Sequence, residues 1–292
     1  MIEYRSAQSA SIRFQAAFID VVPIHRKLAM TPILVFDIET IPDIASVRLL
    51  NELPDALSDS EVAEFAFQQR RARTGSEFMP HHLQRIIAIS CCLRWGDKIH
   101  IGTLGKPNSD EDEIIAEFFK LIEKYTPQLV SWNGGGFDLP VLHYRALLHG
   151  IAAPRYWDMG EGDFRDSRDF KFNNYLNRYH TRHCDLMDLL AMYTGRANAP
   201  LDELAKMCGF PGKLGMDGGQ VWQAYQNGEI ENIRDYCETD VANTYLVYQR
   251  FRMMTGALSG DEYENEVEKL HEYLFSLSED KEHWGVFLDA WG

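Results

Sequence analysis

Long apolar runs are missing from this 292-residue chain. Nothing in it approaches the roughly 18 consecutive apolar residues of a membrane span, so no membrane partner is expected. Cysteine is scarce too. The five residues Cys91, Cys92, Cys184, Cys208 and Cys237 are odd in number and form no Cys-x-x-Cys pair or zinc-type spacing. They exclude a disulfide framework and read as buried thiols of a reducing compartment, so the expected location is cytoplasmic. Positive charge is also short, with 29 Lys and Arg against 44 Asp and Glu and a formal net charge of −15. Such a chain does not bind nucleic acid by long-range attraction. An enzyme that meets its substrate through bound cations escapes that exclusion, because the ions supply the local positive charge.

The composition is that of a globular protein, 45% hydrophobic and 25% charged. Its length suits one large domain with appendages. Residues 1–30 are mildly basic, show no sustained period and are broken by Asp20 and Pro23. They make a poor signal peptide and are expected to be a loosely ordered extension. The hydrophobic pattern predicts strands over 33–38, 85–93, 98–104 and 128–132, and a short one around Cys184-Asp185-Leu186. The second and third are joined at Gly96-Asp97 as a hairpin. Helices are expected over 58–73, from a capping box at Ser109 and Asp112, over 138–149, over 201–208, near 220–225 and from 229 to about 253. A further helix over 262–277 carries Tyr263, Val267, Leu270, Leu274 and Leu277 on one face. An opening strand, a hairpin and then alternating strands and helices make an α/β domain with a mixed sheet. Residues 31–256 are assigned to that domain, and 257–292 to a helix and tail packing on it.

Three segments place acids beside strongly apolar neighbours: Phe36-Asp37-Ile38-Glu39-Thr40, Asn133-Gly134-Gly135-Gly136-Phe137-Asp138 and Tyr236-Cys237-Glu238-Thr239-Asp240. A buried carboxylate is costly unless paired or bound to a metal. Asp37 and Glu39, two apart on a strand, leave it on one face while Ile38 turns to the core. Two hard oxygen donors on rigid backbone suit Mg²⁺ or Mn²⁺, although solvated acids at a strand end would look similar. Asp138 opens a helix after three glycines. An N-cap explains it as well as a metal ligand does, while the Gly-Lys-Ser/Thr ending of a phosphate-binding loop is missing. Tyr236 and Asp240 lie one helical turn apart on one face. Alone they would read as a packing tyrosine beside a surface acid. Beside a metal site, the hydroxyl can hold an attacking water in line.

In this order the five residues resemble the DEDDy 3′–5′ exonucleases of the ribonuclease H-like fold. Ser131-Trp132-Asn133-Gly134-Gly135-Gly136-Phe137-Asp138-Leu139-Pro140 is similar to the second exonuclease motif of family-B DNA polymerases, an asparagine, three residues and Phe-Asp before a Pro-containing helix start. From about residue 31 to about 252 the chain looks like a stand-alone exonuclease related to that proofreading domain. Nothing in it resembles a polymerase palm, fingers or thumb.

The resemblance implies a ribonuclease H-like, mixed five-stranded sheet flanked by helices. It also implies two divalent ions, Mg²⁺ or Mn²⁺. Asp37, Glu39, Asp138 and Asp240 would be their ligands, with Tyr236 orienting the attacking water. Thr40, Trp132, Asn133 and Lys213 would lie near the strand. The implied reaction is hydrolysis from the 3′ end of single-stranded nucleic acid, DNA before RNA, releasing nucleoside 5′-monophosphates. A short-oligonucleotide or RNA-directed phosphodiesterase, or a catalytically silent binding module, would share these motifs. Between Phe164 and His183, five basic residues alternate with Phe170, Phe172, Tyr175 and Tyr179. This suits either base stacking along a single strand or an ordinary loop whose aromatics fill the core. Asp185 and Asp188 are expected to be structural.

Overall fold

Alternation along the first strand decides which side of the sheet each part of the core occupies. The computed structural model describes residues 31–291, so the expected extension at 1–30 lies outside the described residues. In chain order the elements are β1 (Ile33–Pro42), α1 (Ile44–Asn51), α2 (Asp59–Thr74), β2 (Gln84–Trp95), β3 (Lys98–Thr103), α3 (Glu111–Tyr125), β4 (Gln128–Ser131), α4 (Asp138–His149), α5 (Ser167–Phe170), β5 (His183–Asp185), α6 (Leu186–Leu190), α7 (Leu201–Met207), α8 (Val221–Gln226), α9 (Ile230–Met254), α10 (Gly260–Leu277) and α11 (Glu282–Asp289). The strands form one sheet in the order β3-β2-β1-β4-β5. The β1–β2 and β2–β3 pairs are antiparallel, and β1–β4 and β4–β5 are parallel. This is the expected mixed five-stranded sheet flanked by helices.

Leu34, Phe36 and Ile38 enter one core with Ile114, Ile115, Phe118 and Ile122 of α3 and Val141 and Leu142 of α4. Ile33 and Val35 face the other way, onto Val241, Ala242, Tyr245 and Leu246 of α9. Asp37 and Glu39 continue that second row, so β1 turns its acids toward α9. The pairing slips between Glu39 and Thr40: Glu39 lies opposite Ala88 and Thr40 opposite Ile86, which leaves Ile87 of β2 as the extra residue. A bulge of this kind bends the strand and re-aims side chains beyond it.

From Tyr236 to Gln249, α9 is buried at every residue. A helix apolar on one face only could not be covered so completely. Here the sheet lies on one side, and α7, α8, α10 and α11 cover the rest. The tail contributes two helices rather than one, and Leu270, Leu274, Trp284 and Phe287 from them fill the α9 side of the core. Two ion-pair groups tie the tail down. Arg94 of β2 pairs with Glu266 of α10 at 2.6 Å, and Tyr245 of α9 donates to the same carboxylate at 2.9 Å. Glu238 of α9 accepts from Lys281 at 2.7 Å on both oxygens and from His283 at 3.0 Å. These partners hold its carboxyl down to about 2 despite burial that pushes the other way. Asp235, Glu238 and His283 are close enough for a metal, but the lysine and the Thr103 N–H occupy Glu238, and the group reads as a latch.

One local expectation fails, and one open alternative is divided. No capping box forms at Ser109, whose hydroxyl accepts from the Lys106 N–H at 3.1 Å, and Asp110 becomes the N-cap of α3. Between 164 and 183, where base stacking and core filling are both open, Phe170 and Tyr175 are core residues while Phe172 and Tyr179 are exposed. The guanidiniums of Arg155 and Arg182 lie 4.1 and 4.4 Å from the Phe170 ring. Tyr175 donates to the Pro127 carbonyl at 2.7 Å, at the opposite end of β4 from the glycine loop.

The Arg94–Glu266 pair supplies a stability test. Glu266→Ala leaves a buried guanidinium uncompensated, which should cost on the order of 3 kcal/mol in chemical denaturation. A loss below about 0.5 kcal/mol would show the tail to be weakly coupled to the sheet.

Candidate active site

The acids predicted from three separate segments meet beside the second half of β1, the central strand of the sheet. Ligand atoms of Asp37, Glu39 and Cys237 lie within 4.8 Å of one another. The Cys237 thiol is 3.7 Å from Asp37 Oδ2 and 3.5 Å from its carbonyl. Asp138 does not act as an N-cap. Phe137 occupies that position without a side-chain bond, and Asp138 Oδ1 accepts the Ile38 N–H at 3.2 Å, between the two strand acids. On α9, one turn separates Tyr236 from Asp240, as the spacing requires. Lys213, in the loop before α8, reaches both. Its ammonium is 3.2 Å from Asp240 Oδ2 and donates a short hydrogen bond to the Tyr236 hydroxyl.

The electrostatics follow from this crowding. Burial first, and then the charges of Asp138, Glu39 and Asp240, push the Asp37 carboxyl well above the usual range. Glu39 is pushed up by burial and by Asp240, and Asp240 by burial against the opposing pull of Lys213. Asp138 rises to about 7, chiefly through burial, with Asp185 adding repulsion and the Ile38 N–H opposing it. The Tyr236 phenol is pushed far up by burial and by the Asp240, Glu39 and Asp37 charges, so it keeps its proton. Lys213 is raised: burial alone would lower it, but Asp240, Asp37 and Glu39 outweigh that.

Asp240 Oδ1 is buried and has no hydrogen-bond partner. An orphaned carboxylate oxygen among three other acids is a poor structural element and a good ligand. The donor set is oxygen-rich and hard, as Mg²⁺ and Mn²⁺ prefer. Asp37, Glu39, Asp138 and Asp240 fit divalent cations.

Polar side chains behind the site hold its loops. Asp185 accepts from the backbone N–H of Asn133 at 2.9 Å and of Gly135 at 2.8 Å, pinning the glycine loop that leads to Asp138. Asn133 sits at φ +68°, a strained value for a residue with a side chain, and that clamp holds it there. Asn243 accepts from the Gly212 N–H at 3.0 Å and donates to its carbonyl at 2.8 Å. Asp202 accepts the Lys213 N–H at 2.7 Å. Gly212 itself has φ +72°, and a Cβ there would lie 2.5 Å from Asp202 Oδ1. The Lys213 loop is therefore fixed rather than draped.

Two clefts flank the acids. One, of 450 Å³, is lined by Asp37, Trp132, Asn133, Lys213 and Asp240 and carries the lysine. The other, of 610 Å³, lies beside Glu39 and Thr40. Of the four residues expected near a strand, Trp132, Asn133 and Lys213 thus share the first cleft, and Thr40 lines the second. The sequence reading did not single out Asn243 or Asp202. Asn243 was within reach of it, lying three residues after Asp240 and seven after Tyr236 on the same helix face.

Comparisons with known proteins give the chain a family. A family described as "Predicted 3'-5' exonuclease related to the exonuclease domain of PolB" matches residues 76–291. The DNA polymerase of Archaeoglobus fulgidus is 29% identical over 152 residues, covering 51% of this chain and 19% of the polymerase. The family B DNA polymerase of Pyrobaculum calidifontis aligns structurally with a TM-score of 0.45 at 14% identity, covering 74% of this chain and 24% of that one. The chain therefore spans about a fifth of the length of the curated relative it matches.

The raised carboxyls make a pH prediction whose sign is fixed. Asp138 titrates at about 7 in the folded chain against an ordinary 3.8, so the folded state holds more protons between those values. Stability without metal then falls as pH rises through that window. In chelator the melting temperature should be lower at about pH 7.5 than at about pH 5.5, and Mn²⁺ should restore it. Asp138→Asn should flatten the slope. A melting temperature that rises with pH in chelator and ignores Mn²⁺ would contradict the reading of these acids as cation ligands.

Proposed function

The chain belongs to the family of predicted 3′–5′ exonucleases related to the exonuclease domain of PolB, and on that premise we propose that it is a metal-dependent 3′–5′ exonuclease. Its substrate would be the 3′ end of single-stranded nucleic acid and its products nucleoside 5′-monophosphates. One observation carries this reading. Four acids from β1, α4 and α9, three of them buried and Asp37 partly so, converge beside a tyrosine that keeps its proton, and one carboxylate oxygen among them has no partner. The archaeal relative is a DNA polymerase, and that is the ground for favouring DNA over RNA.

Two divalent ions, Mg²⁺ or Mn²⁺, held by Asp37, Glu39 and Asp240 with support from Asp138, would neutralise phosphate charge and acidify the attacking water. The chain's own groups do the rest. Tyr236, protonated and fixed by its bond to Lys213, offers a hydroxyl that can hold a water in line but cannot serve as its base. Lys213 belongs to a rigid loop, and its ammonium can follow a phosphate oxygen once Asp240 turns to a cation. Trp132 and Asn133 line the same cleft and can border the strand. No helix among the described residues is long and apolar enough to cross a membrane. All five cysteines are free, and a reducing cytoplasm is the compartment we propose.

The test is a ladder. With 5′-labelled single-stranded DNA and RNA and duplex controls, in Mg²⁺ and in Mn²⁺, products should shorten one nucleotide at a time from the 3′ end. Asp37→Ala and Asp240→Ala should each take hydrolysis below detection while keeping the wild-type circular dichroism spectrum. Tyr236→Phe should slow turnover roughly a hundredfold with metal affinity retained. Full activity in either aspartate variant would refute the assignment, and an unchanged Tyr236→Phe rate would reduce the tyrosine to a packing residue.

A further inference from the structure

A third cleft opens along the outer strand β5 rather than beside β1. It measures 520 Å³ and shares no lining residue with the two clefts that flank the acids. Tyr179, Tyr193, Tyr248 and Phe251 give it aromatic walls, and Arg178 and Arg252 give it cations. Mainly apolar pockets of this size with a few placed polar groups take small ligands. β5 itself is three residues long, too short an edge to take up a peptide as a further strand.

The wall of this cleft is strained. Met192 and Tyr193 sit at φ +52° and +58°, in the left-handed region, and neither is a glycine. Met192 is 78% exposed, so the turn does not serve the core. It sets the Tyr193 ring 4.8 Å from that of Tyr179, edge to face, and the Tyr193 N–H donates to the Asp188 carbonyl at 2.8 Å. Strain of this kind collects at ligand sites. The two cations differ. Arg178 is paired with Asp188 at 2.6 Å, and its guanidinium lies 5.3 Å from the Tyr193 ring. Arg252 donates to Gln249 at 3.1 Å and has no carboxylate partner among the described residues, so its charge is left for a ligand. Asp185 lines the same cleft while its carboxylate holds the Asn133 and Gly135 N–H groups of the glycine loop.

We infer that this cleft is a second nucleotide site. It binds a free nucleoside 5′-monophosphate, with the base against Tyr193 and Tyr179 and the phosphate at Arg252, and its occupancy lowers turnover through Asp185. The chemistry narrows the ligand. A bare anion would meet Asp185 and Asp188 as well as Arg252, and a purely apolar molecule would cover Arg252 without pairing it. A planar ring that carries one anionic group satisfies both ends. The choice of a nucleotide among such compounds rests on the exonuclease reading, of which it is the product. A ligand that donates to Asp185 competes with the N–H groups of the glycine loop, and a loosened loop presents Asp138 less well.

The binding experiment needs no turnover. In chelator the catalytic acids repel phosphate, and calorimetry on the full chain should find one dAMP bound per chain. Deoxyadenosine and inorganic phosphate should each bind about tenfold more weakly or worse. Tyr193→Ala should raise the Kd for dAMP about tenfold, and Tyr193→Phe should restore it. Arg252→Gln should raise it by a similar factor and leave deoxyadenosine binding unchanged. Asp37→Ala should leave it within about twofold. With Mn²⁺ and a 5′-labelled single strand, added dAMP should lower kcat several-fold with KM within about twofold. Arg252→Gln should hydrolyse the strand normally and lose that response.

No binding of dAMP in chelator, or binding that Tyr193→Ala and Arg252→Gln leave unchanged, would overturn the site. Should those variants instead raise KM for a long strand while dAMP does not bind, the cleft holds an inner nucleotide of the substrate, and the free-ligand assignment falls. Inhibition that raises KM alone would place the nucleotide at the acids and overturn the link through Asp185. A chain that binds dAMP in the expected pattern yet hydrolyses no strand would refute the exonuclease reading and leave the second site standing.

Discussion

Four carboxylates share a volume too small and too dry for all of them to be charged without a cation among them. That repulsion organises the site. Burial is the largest push on Asp37, Glu39, Asp138 and Asp240, and each also feels at least one acidic neighbour. Lys213 offsets part of it, pairing with Asp240 and the Tyr236 hydroxyl. A single ammonium cannot balance four acids, and Asp240 Oδ1 remains unpartnered. The arrangement is unfavourable as a structural element and would become favourable with divalent cations, which would couple the stability of this part of the sheet to ion binding.

The cost of bringing like charges together has to be met by rigid scaffolding, and the structure supplies it from three directions. β1 is the central strand, paired with both β2 and β4 at its start and with β2 alone at Asp37 and Glu39, and the β2 ladder holds these two acids in register. α9 is buried all round by the sheet and by α7, α8, α10 and α11, so Asp240 cannot turn to solvent. The glycine loop before α4 is clamped by Asp185, and Asp138 is tied to β1 by the Ile38 N–H. The tail helices belong to the same scaffold. They close the far side of α9, and Arg94–Glu266 and Glu238–Lys281 lock them to the sheet and to α9. A packing defect there would loosen the catalytic site without touching it.

Legibility in the sequence followed the range of the interaction. Asp37/Glu39 and Tyr236/Asp240 depend only on local periods, two along a strand and about four along a helix, so their shared faces were readable. The strands and the long helices were readable for the same reason, to within a few residues at their ends. Asp138 was ambiguous because its deciding contact, with the Ile38 N–H, spans a hundred residues. The Asn243 and Asp202 clamps on the Lys213 loop depend on how α7, α9 and a loop meet, which no local pattern records. The aromatics between 164 and 183 could have stacked on bases or filled the core. Tertiary packing put Phe170 and Tyr175 inside, while Phe78, in an unremarked stretch before β2, faces a cleft beside the acids.

An acidic enzyme for an acidic polymer looks self-defeating only if attraction must act at long range. Beyond a Debye length of about 8 Å at physiological salt, exposed charges are largely screened, and a net −15 slows encounter more than it weakens a close contact. Of the exposed cations between 164 and 183, Arg165, Arg168 and Lys171 belong to the stretch anchored through Tyr175 at the far end of β4, whereas Arg178 lines a cleft with Gly135 and is paired with Asp188. On the proposed exonuclease reading, affinity would then come mainly from contacts at the end of the strand, with metal ions over the scissile phosphate and Lys213 beside them. Recognition built that way would favour a terminus over the interior of a strand. The proposed polarity of the reaction and the shortage of surface cations would then have one cause, a site that grips an end of the polymer rather than its length.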